Sequence, residues 1–100
     1  MRKVLLVLGA VLGAAAAQAQ DARGRSIAAT CANCHGTDGR SVTTEVVSLA
    51  GMPKEQIVQR MQEFRDGKRP ATVMQQLAKG YTDAQIELIA GYFAAQKPAK

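Results

Sequence analysis

The sequence is poor in the residues that build a large apolar core or a structural metal site. Its 100 residues contain one His, two Cys, no Trp, two Phe and two Tyr, and much of its hydrophobic fraction is alanine. A structural zinc site needs four protein ligands, and the Cys and His side chains together supply three. Two cysteines also allow at most one disulfide. A single small domain of this length therefore needs another way to fill its core, and a large apolar cofactor would do so.

Long basic and long apolar runs are also missing. The formal net charge is +5, but no basic segment is interleaved with aromatic residues, and the sequence predicts no nucleic-acid partner. The apolar run from Val4 to Ala17 is shorter than the about 20 residues that a membrane-spanning helix needs. A modest positive charge favours acidic protein surfaces as partners.

The first 19 residues have the pattern of a secretory signal peptide. Arg2 and Lys3 give a positive start, an apolar run follows, and Ala17-Gln18-Ala19 has small residues where a signal peptidase cuts. The pattern predicts a signal peptide over residues 1–19, a mature domain over residues 20–100 and a periplasmic location. Loss of the two basic residues lowers the net charge from +5 to +3.

Helical patterns recur along the mature chain, and no convincing strand interrupts them. The apolar spacing predicts helices over residues 21–31, 53–66 and 71–79, with a long irregular loop over residues 36–52. A last helix begins at Thr82, where Gln85 completes a capping box. Its predicted buried stripe consists of Ile86, Ile89, Ala90 and Phe93. The expected fold is all-α, with about four short helices around one core.

The segment Cys31-Ala32-Asn33-Cys34-His35 carries the chemistry. Cys-x-x-Cys-His is the attachment pattern of c-type haem. Two cysteines three residues apart lie on one side of a helical turn, so their sulfurs can form thioethers with two vinyl groups on one porphyrin edge. His35 then directs its imidazole at the iron. A thiol–disulfide protein is a weaker alternative, because a thioredoxin-like Cys-x-x-Cys follows a strand in a βαβ frame.

The second axial ligand of the iron is predicted to be a methionine, because His35 is the only histidine. Met61 lies on an apolar helical stripe and is expected in the core. Met52 precedes Pro53 at a helix entry, where packing is expected. Met74 remains as the predicted ligand. Histidine with methionine raises the reduction potential and leaves no open position on the iron, which suits electron transfer and not substrate binding.

The mature chain resembles the class I cytochromes c. Gly24 and Ile27 with the Cys31–Gly36 segment are similar to the family's first helix and haem motif, and Phe64–Arg69, Thr72–Met74 and Ala78–Tyr81 resemble small single-haem bacterial cytochromes. This resemblance implies one covalent haem c, a methionine ligand at Met74, and a closing helix that packs on the first. In many relatives a proline stands at the position of Val47, and its carbonyl accepts a hydrogen bond from the iron-bound histidine. The resemblance therefore implies a hydrogen bond from His35 to the Val47 carbonyl, and without the stiffness of proline we expect this bond to be looser.

These features predict a periplasmic carrier of single electrons that is not itself an enzyme. The resemblance extends to the haem subunit of flavocytochrome c sulfide dehydrogenase, which implies an alternative function as a subunit that accepts electrons from a flavoprotein. The expected partners are redox proteins, with no nucleic acid and no membrane span in the mature chain.

Overall fold

Helices and loops form all of the chain that the computed structural model describes, namely the backbone of residues 2–99 and the side chains of residues 12–16 and 18–99. The five α-helices of this part are α1 (Arg2–Ala28), α2 (Ala32–His35), α3 (Lys54–Arg65), α4 (Met74–Ala78) and α5 (Asp83–Ala94). Short 3-10 helices cover Ala29–Cys31 and Thr37–Gly39. No strand occurs between residues 2 and 99, and the predicted all-α fold is confirmed.

The first helix is longer than the sequence pattern predicts. It was expected to begin near Asp21, but α1 is continuous from Arg2 to Ala28, and the 3-10 helix Ala29–Cys31 replaces its predicted last turn. Alanine has the highest helix propensity, so the alanine-rich segment before Asp21 extends the helix toward the N-terminus. Most of the predicted apolar signal segment has side chains outside the described residues.

Within residues 2–99, no helix is both long enough and apolar enough to cross a bilayer.

The predicted starts of the later helices are close to those observed. Pro53 lies one residue before α3, as its N-cap. The capping box of α5 is confirmed, because the Gln85 backbone N–H donates to the Thr82 hydroxyl at 3.2 Å and the Thr82 N–H donates to the Gln85 side chain at 2.9 Å. α4 begins three residues later than expected, since the β-branched Val73 still has a non-helical φ of −126°.

A glycine brings the two ends of the folded domain together. A Cβ atom at Gly24 of α1 would lie 2.8 Å from the Leu88 carbonyl oxygen and 3.5 Å from the Tyr92 Cβ atom of α5. Any larger residue would push the helices apart, so Gly24 allows the close contact of α1 with α5. This contact agrees with the packing of the closing helix on the first helix that the sequence implied.

The fully buried core is small. Of its nine apolar residues among those described, four are alanine, and the largest side chains with full burial are Phe93, Ile86 and Ile89. All four predicted stripe residues of α5 are buried, and so is Met61. Around this core lies an apolar rim of half-buried side chains, which includes Cys31, Leu49, Met52, Val58, Phe64, Met74 and Tyr81. The thin core predicted from the sequence is therefore present, with a rim that a large apolar group could cover.

Candidate functional site

The two cysteines lie on one continuous helical turn. Cys31 ends the first 3-10 helix and is the N-cap of α2, with helical angles of φ −65° and ψ −26°. Cys34 follows within α2. Residues three apart in helical backbone share a face, so both thiols are directed to the same side. Cys31 is half-buried against the core, and Cys34 is exposed.

The imidazole of His35 is oriented by a backbone carbonyl. Its Nδ1 atom lies 2.7 Å from the Val47 carbonyl oxygen. A carbonyl can only accept, so Nδ1 carries the proton, and Nε2 keeps the lone pair that can bind a metal ion. The hydrogen bond expected from His35 to the Val47 carbonyl is present, at the short end of the usual range, and its being looser than with proline at position 47 stays a prediction.

Backbone hydrogen bonds close the loop in which Val47 lies. The loop of residues 36–51 folds back on itself, because the Gly39 carbonyl accepts hydrogen bonds from Leu49 N–H at 2.8 Å and from Ala50 N–H at 3.1 Å. Gly39 has a positive φ of 80°, and a Cβ atom there would lie 2.7 Å from the Phe93 ring. The long irregular loop predicted from the sequence is thus a packed loop that rests on α5.

Sequence reasoning missed a tyrosine–aspartate pair that joins this loop to α5. The Tyr92 hydroxyl donates to Asp38 Oδ1. This hydrogen bond raises the pKa of Tyr92, because ionisation would break it, and burial and the Asp38 charge act in the same direction. Arg25 and Arg40 oppose this increase. The one signal in the sequence was an aspartate directly before a glycine, Asp38-Gly39, since aspartate is a residue type that tolerates the left-handed conformation.

Met74 is the first residue of α4 and lies on the apolar rim. Its side chain is half-buried against the same core cluster that Cys31 contacts. On either side of it, Val73 and Leu77 are 54% and 51% exposed. Met61 is buried in α3, as expected of a core residue, and Met52 packs on the rim. Burial therefore argues against Met61 as the ligand of the iron. It does not distinguish Met52 from Met74, because both are half-buried on the rim.

The residues present fit a covalently attached haem. The site offers two thiols on one helical face, an imidazole with a free Nε2 and a methionine sulfur on the rim of the same apolar cluster. Imidazole and thioether are established axial ligands of haem iron. The apolar rim supplies the low-polarity walls that a porphyrin needs. The groove of about 600 Å³ between α1 and α5 is lined by none of these four residues and is separate from the site.

The alternative readings of the motif fit less well. Burial raises the pKa of the Cys31 thiol, whereas reactive redox thiols have a lowered pKa. The strand expected before a thioredoxin-like Cys-x-x-Cys is replaced by α1. Among the described residues, no three His, Cys, Asp or Glu side chains cluster as a metal site would require.

Comparisons with known proteins agree on one family. Residues 22–97 match the family Cytochrome c. The chain is 44% identical over 73 residues to the cytochrome subunit of sulfide dehydrogenase from Chlorobaculum tepidum, covering 73% of this chain and 66% of that protein. It is 38% identical over 94 residues to cytochrome c4 from Pseudomonas aeruginosa, covering 94% of this chain and 46% of that protein.

A third relative has a similar length. The chain is 33% identical over 79 residues to cytochrome c-554(548) from Halomonas halodenitrificans, which covers 76% of this chain and 95% of that protein. By contrast, the chain spans about half to two thirds of the length of the first two relatives.

Proposed function

The chain belongs to the cytochrome c family, and from that premise we propose that it is a periplasmic carrier of single electrons whose haem is held by Cys31, Cys34, His35 and Met74. Family membership makes it an electron-transfer protein with covalently bound haem c. The observation that carries the assignment of residues is the hydrogen bond from His35 Nδ1 to Val47 within a Cys-x-x-Cys-His motif, because it leaves Nε2 free for iron.

Each proposed ligand has a separate task. Cys31 and Cys34 would hold the porphyrin through two thioether bonds. His35 and Met74 would bind the iron, which would keep water and substrates off the metal. When bound, haem iron supplies a one-electron couple between its ferrous and ferric states. The apolar rim around Leu49, Met52 and Phe64 excludes water and so tunes the potential.

Export is part of this proposal. Residues 1–19 serve as a signal peptide, and residues 20–100 form the mature cytochrome domain. The positive start, the short apolar run and the small residues before position 20 support this division. The bacterial relatives are consistent with it, since haem attached through a Cys-x-x-Cys-His motif is common to exported cytochromes.

The direct test of the function is a spectrum of the exported protein after extraction with acid acetone. We expect the haem to stay with the protein, and the reduced-minus-oxidised spectrum to show the sharp bands of a six-coordinate haem. Covalent thioethers resist this extraction, whereas a haem held by its axial ligands alone is removed. A colourless protein after extraction would contradict the assignment of the thioethers.

A second candidate function is that of a haem subunit in a sulfide dehydrogenase, where it accepts electrons from a flavoprotein. The observation that favours it is the 44% identity to a protein named as such a cytochrome subunit. Exposed apolar side chains support it too, because Val47, Val73 and Leu77 are each about half exposed and would suit burial against a partner. Copurification with a yellow flavoprotein in a fixed ratio distinguishes a subunit from a free carrier.

Positive charge near Met74 provides electrostatic steering under either function. Of the three basic residues near this segment, Arg69 is paired with Glu63 at 2.8 Å. Hydrogen bonds from Gln59 and then from Arg69 lower the pKa of Glu63. Lys68 and Lys79 are exposed and form no ion pair with another described residue. These two lysines therefore supply the attraction for an acidic partner.

Removal of these two charges should slow reaction with an anion. For the double variant Lys68→Gln/Lys79→Gln, we expect the rate of oxidation by ferricyanide at low ionic strength to fall by about threefold to tenfold. Its dependence on salt should also become weaker. Stopped-flow absorbance at several ionic strengths measures both. Lys54→Gln is the matched control, because Lys54 is already neutralised by Glu87 at 3.0 Å. Equal rates in the double variant and the wild type would show that the charges of Lys68 and Lys79 do not attract the reaction partner.

A further inference from the structure

The C-terminal end of the fold holds the loop that follows His35. Besides the Tyr92–Asp38 hydrogen bond, Arg40 Nε donates to the Lys97 carbonyl oxygen at 2.9 Å, and Arg40 Nη1 lies 3.5 Å from Asp38 Oδ2. We name these four residues, Tyr92, Asp38, Arg40 and Lys97, the C-terminal clasp. Two of them lie in the loop, and two lie at or beyond the end of α5. The clasp therefore ties the haem-motif loop to the last part of the chain.

The clasp restrains a strained backbone conformation at Asp38. Asp38 is the one non-glycine residue of the described chain with positive φ, at 53°. Such a conformation is strained for a residue with a Cβ atom, and it persists only where its surroundings hold it. The hydrogen bond from Tyr92 is such a restraint, since it fixes the Asp38 carboxylate from outside the loop.

A short path leads from Asp38 to the imidazole of His35. Gly39 follows Asp38, and its carbonyl accepts from both Leu49 N–H and Ala50 N–H. Leu49 is two residues beyond Val47, whose carbonyl accepts from His35 Nδ1. Ser41 N–H also donates to the Ser48 hydroxyl at 2.9 Å across the same loop. A displacement at Asp38 is thus transmitted through paired backbone groups to the acceptor of the His35 hydrogen bond.

We propose that Tyr92 is a positioning residue for the axial histidine, and that its hydroxyl helps set the reduction potential through Asp38 and Val47 without touching the haem. When the Val47 carbonyl is held in place as the acceptor of the Nδ1 hydrogen bond, the imidazole is a more basic ligand. A more basic ligand favours ferric over ferrous iron. Loss of the Tyr92 hydroxyl weakens this restraint and raises the potential. The inference rests on the proposed function, because it requires His35 to bind the iron.

The experiment compares Tyr92→Phe with a control variant of the intact haem protein that removes a hydrogen bond at the same end of α5. Tyr92→Phe changes no charge at neutral pH and keeps the ring that packs edge-on against Phe93, with centroids 5.3 Å apart. Gln96→Leu is the matched control, since Gln96 Nε2 donates to the Tyr92 carbonyl oxygen at 2.9 Å and not to the loop of residues 36–51. The readouts are the midpoint potential and the exchange rate of the His35 Nδ1 proton, measured by nuclear magnetic resonance.

For Tyr92→Phe, we expect a higher potential, equivalent to a change of about threefold to tenfold in the equilibrium with a fixed redox mediator. This is below the 10–100-fold effect typical when the direct partner of a metal ligand is removed. The His35 Nδ1 proton should also exchange faster. A second variant, Asp38→Gly, relieves the positive φ while removing the acceptor. In that background Tyr92→Phe should have no further effect on the potential, as in a double-mutant cycle for a contacting pair.

The outcomes separate this inference from the proposed function. If Tyr92→Phe has the potential and proton exchange of the Gln96→Leu control, the clasp only stabilises packing, and the inference is wrong. The same holds if Tyr92→Phe shifts the potential fully in the Asp38→Gly background. A wild-type protein that holds no covalent haem contradicts the proposed function instead, and its spectrum shows this before any variant is made.

Discussion

The double variant Cys31→Ala/Cys34→Ala is expected to lose all of its haem to acid acetone and to lose most of its folded structure. The sequence contains only these two cysteines, so no other thiol can replace them as a covalent anchor. The single variants Cys31→Ala and Cys34→Ala should each retain one thioether. Their haem bands should shift to longer wavelength, because one vinyl group remains conjugated.

The loss of folding follows from the thin core. The haem would cover the apolar rim, and if it removes roughly 200 Å² of that rim from water, the contribution is about 5 kcal/mol at about 25 cal/mol per Å². A small domain has a total stability of only about 5–15 kcal/mol. We therefore expect the helical signal in circular dichroism to fall strongly in the double variant. Cys31→Ala should cost more than Cys34→Ala, because Cys31 is half-buried while Cys34 is exposed.

The matched control for these changes is Asn33→Ala, in the same helical turn and exposed. This variant should keep its haem colour after extraction with acid acetone and should keep its helical signal in circular dichroism. A double cysteine variant that remains coloured after extraction would overturn the thioether assignment. A colourless wild type whose two thiols oxidise reversibly would instead support the weaker thiol–disulfide alternative.

Met74→Ala is expected to keep the haem attached but to open one axial position. The ferric protein should lose the weak absorption band at the red end of the visible spectrum that reports a sulfur–iron bond, and the ferrous protein should bind carbon monoxide rapidly. Its reduction potential should fall by about 0.1–0.3 V, part of the range of about 0.8 V that axial ligands span. Methionine favours ferrous iron, so its removal lowers the potential.

Two other methionines serve as controls. Met61 is 8% exposed in the core, so Met61→Ala should reduce stability by about 2–5 kcal/mol and keep the sulfur–iron band. Met52 lies on the same apolar rim as Met74, so Met52→Ala tests the remaining alternative ligand. Loss of the band in Met52→Ala, together with its retention in Met74→Ala, would reverse the assignment. Spectra of the three purified variants decide between them.

Local signals account for what the sequence predicted well. The all-α fold, the capping box at Thr82 and Gln85, and the buried stripe of α5 each depend on residues a few positions apart. The haem motif is equally local. Even the buried position of Met61 follows from the apolar spacing within α3.

Errors and omissions arose where distant residues meet. The Tyr92–Asp38 hydrogen bond joins residues 54 positions apart, and the Asp38-Gly39 pair indicates a turn without indicating its partner. The ion pair of Arg69 with Glu63 likewise forms only because the bend after α3 brings the two side chains together. The start of α1 was misplaced for a different reason, because Asp21 resembles a helix cap while the alanines before it continue the helix.

The contact at Gly24 has a consequence for when the domain can fold. Gly24 lies against Leu88, so the packing of α1 on α5 cannot form until the chain has been made as far as α5. Contacts between distant parts of a chain also slow folding. Under the export proposed above, the segment around Cys31 and Cys34 crosses the membrane without this packing partner. The timing that this contact imposes would thus leave both thiols accessible for haem attachment before the last helix closes the domain.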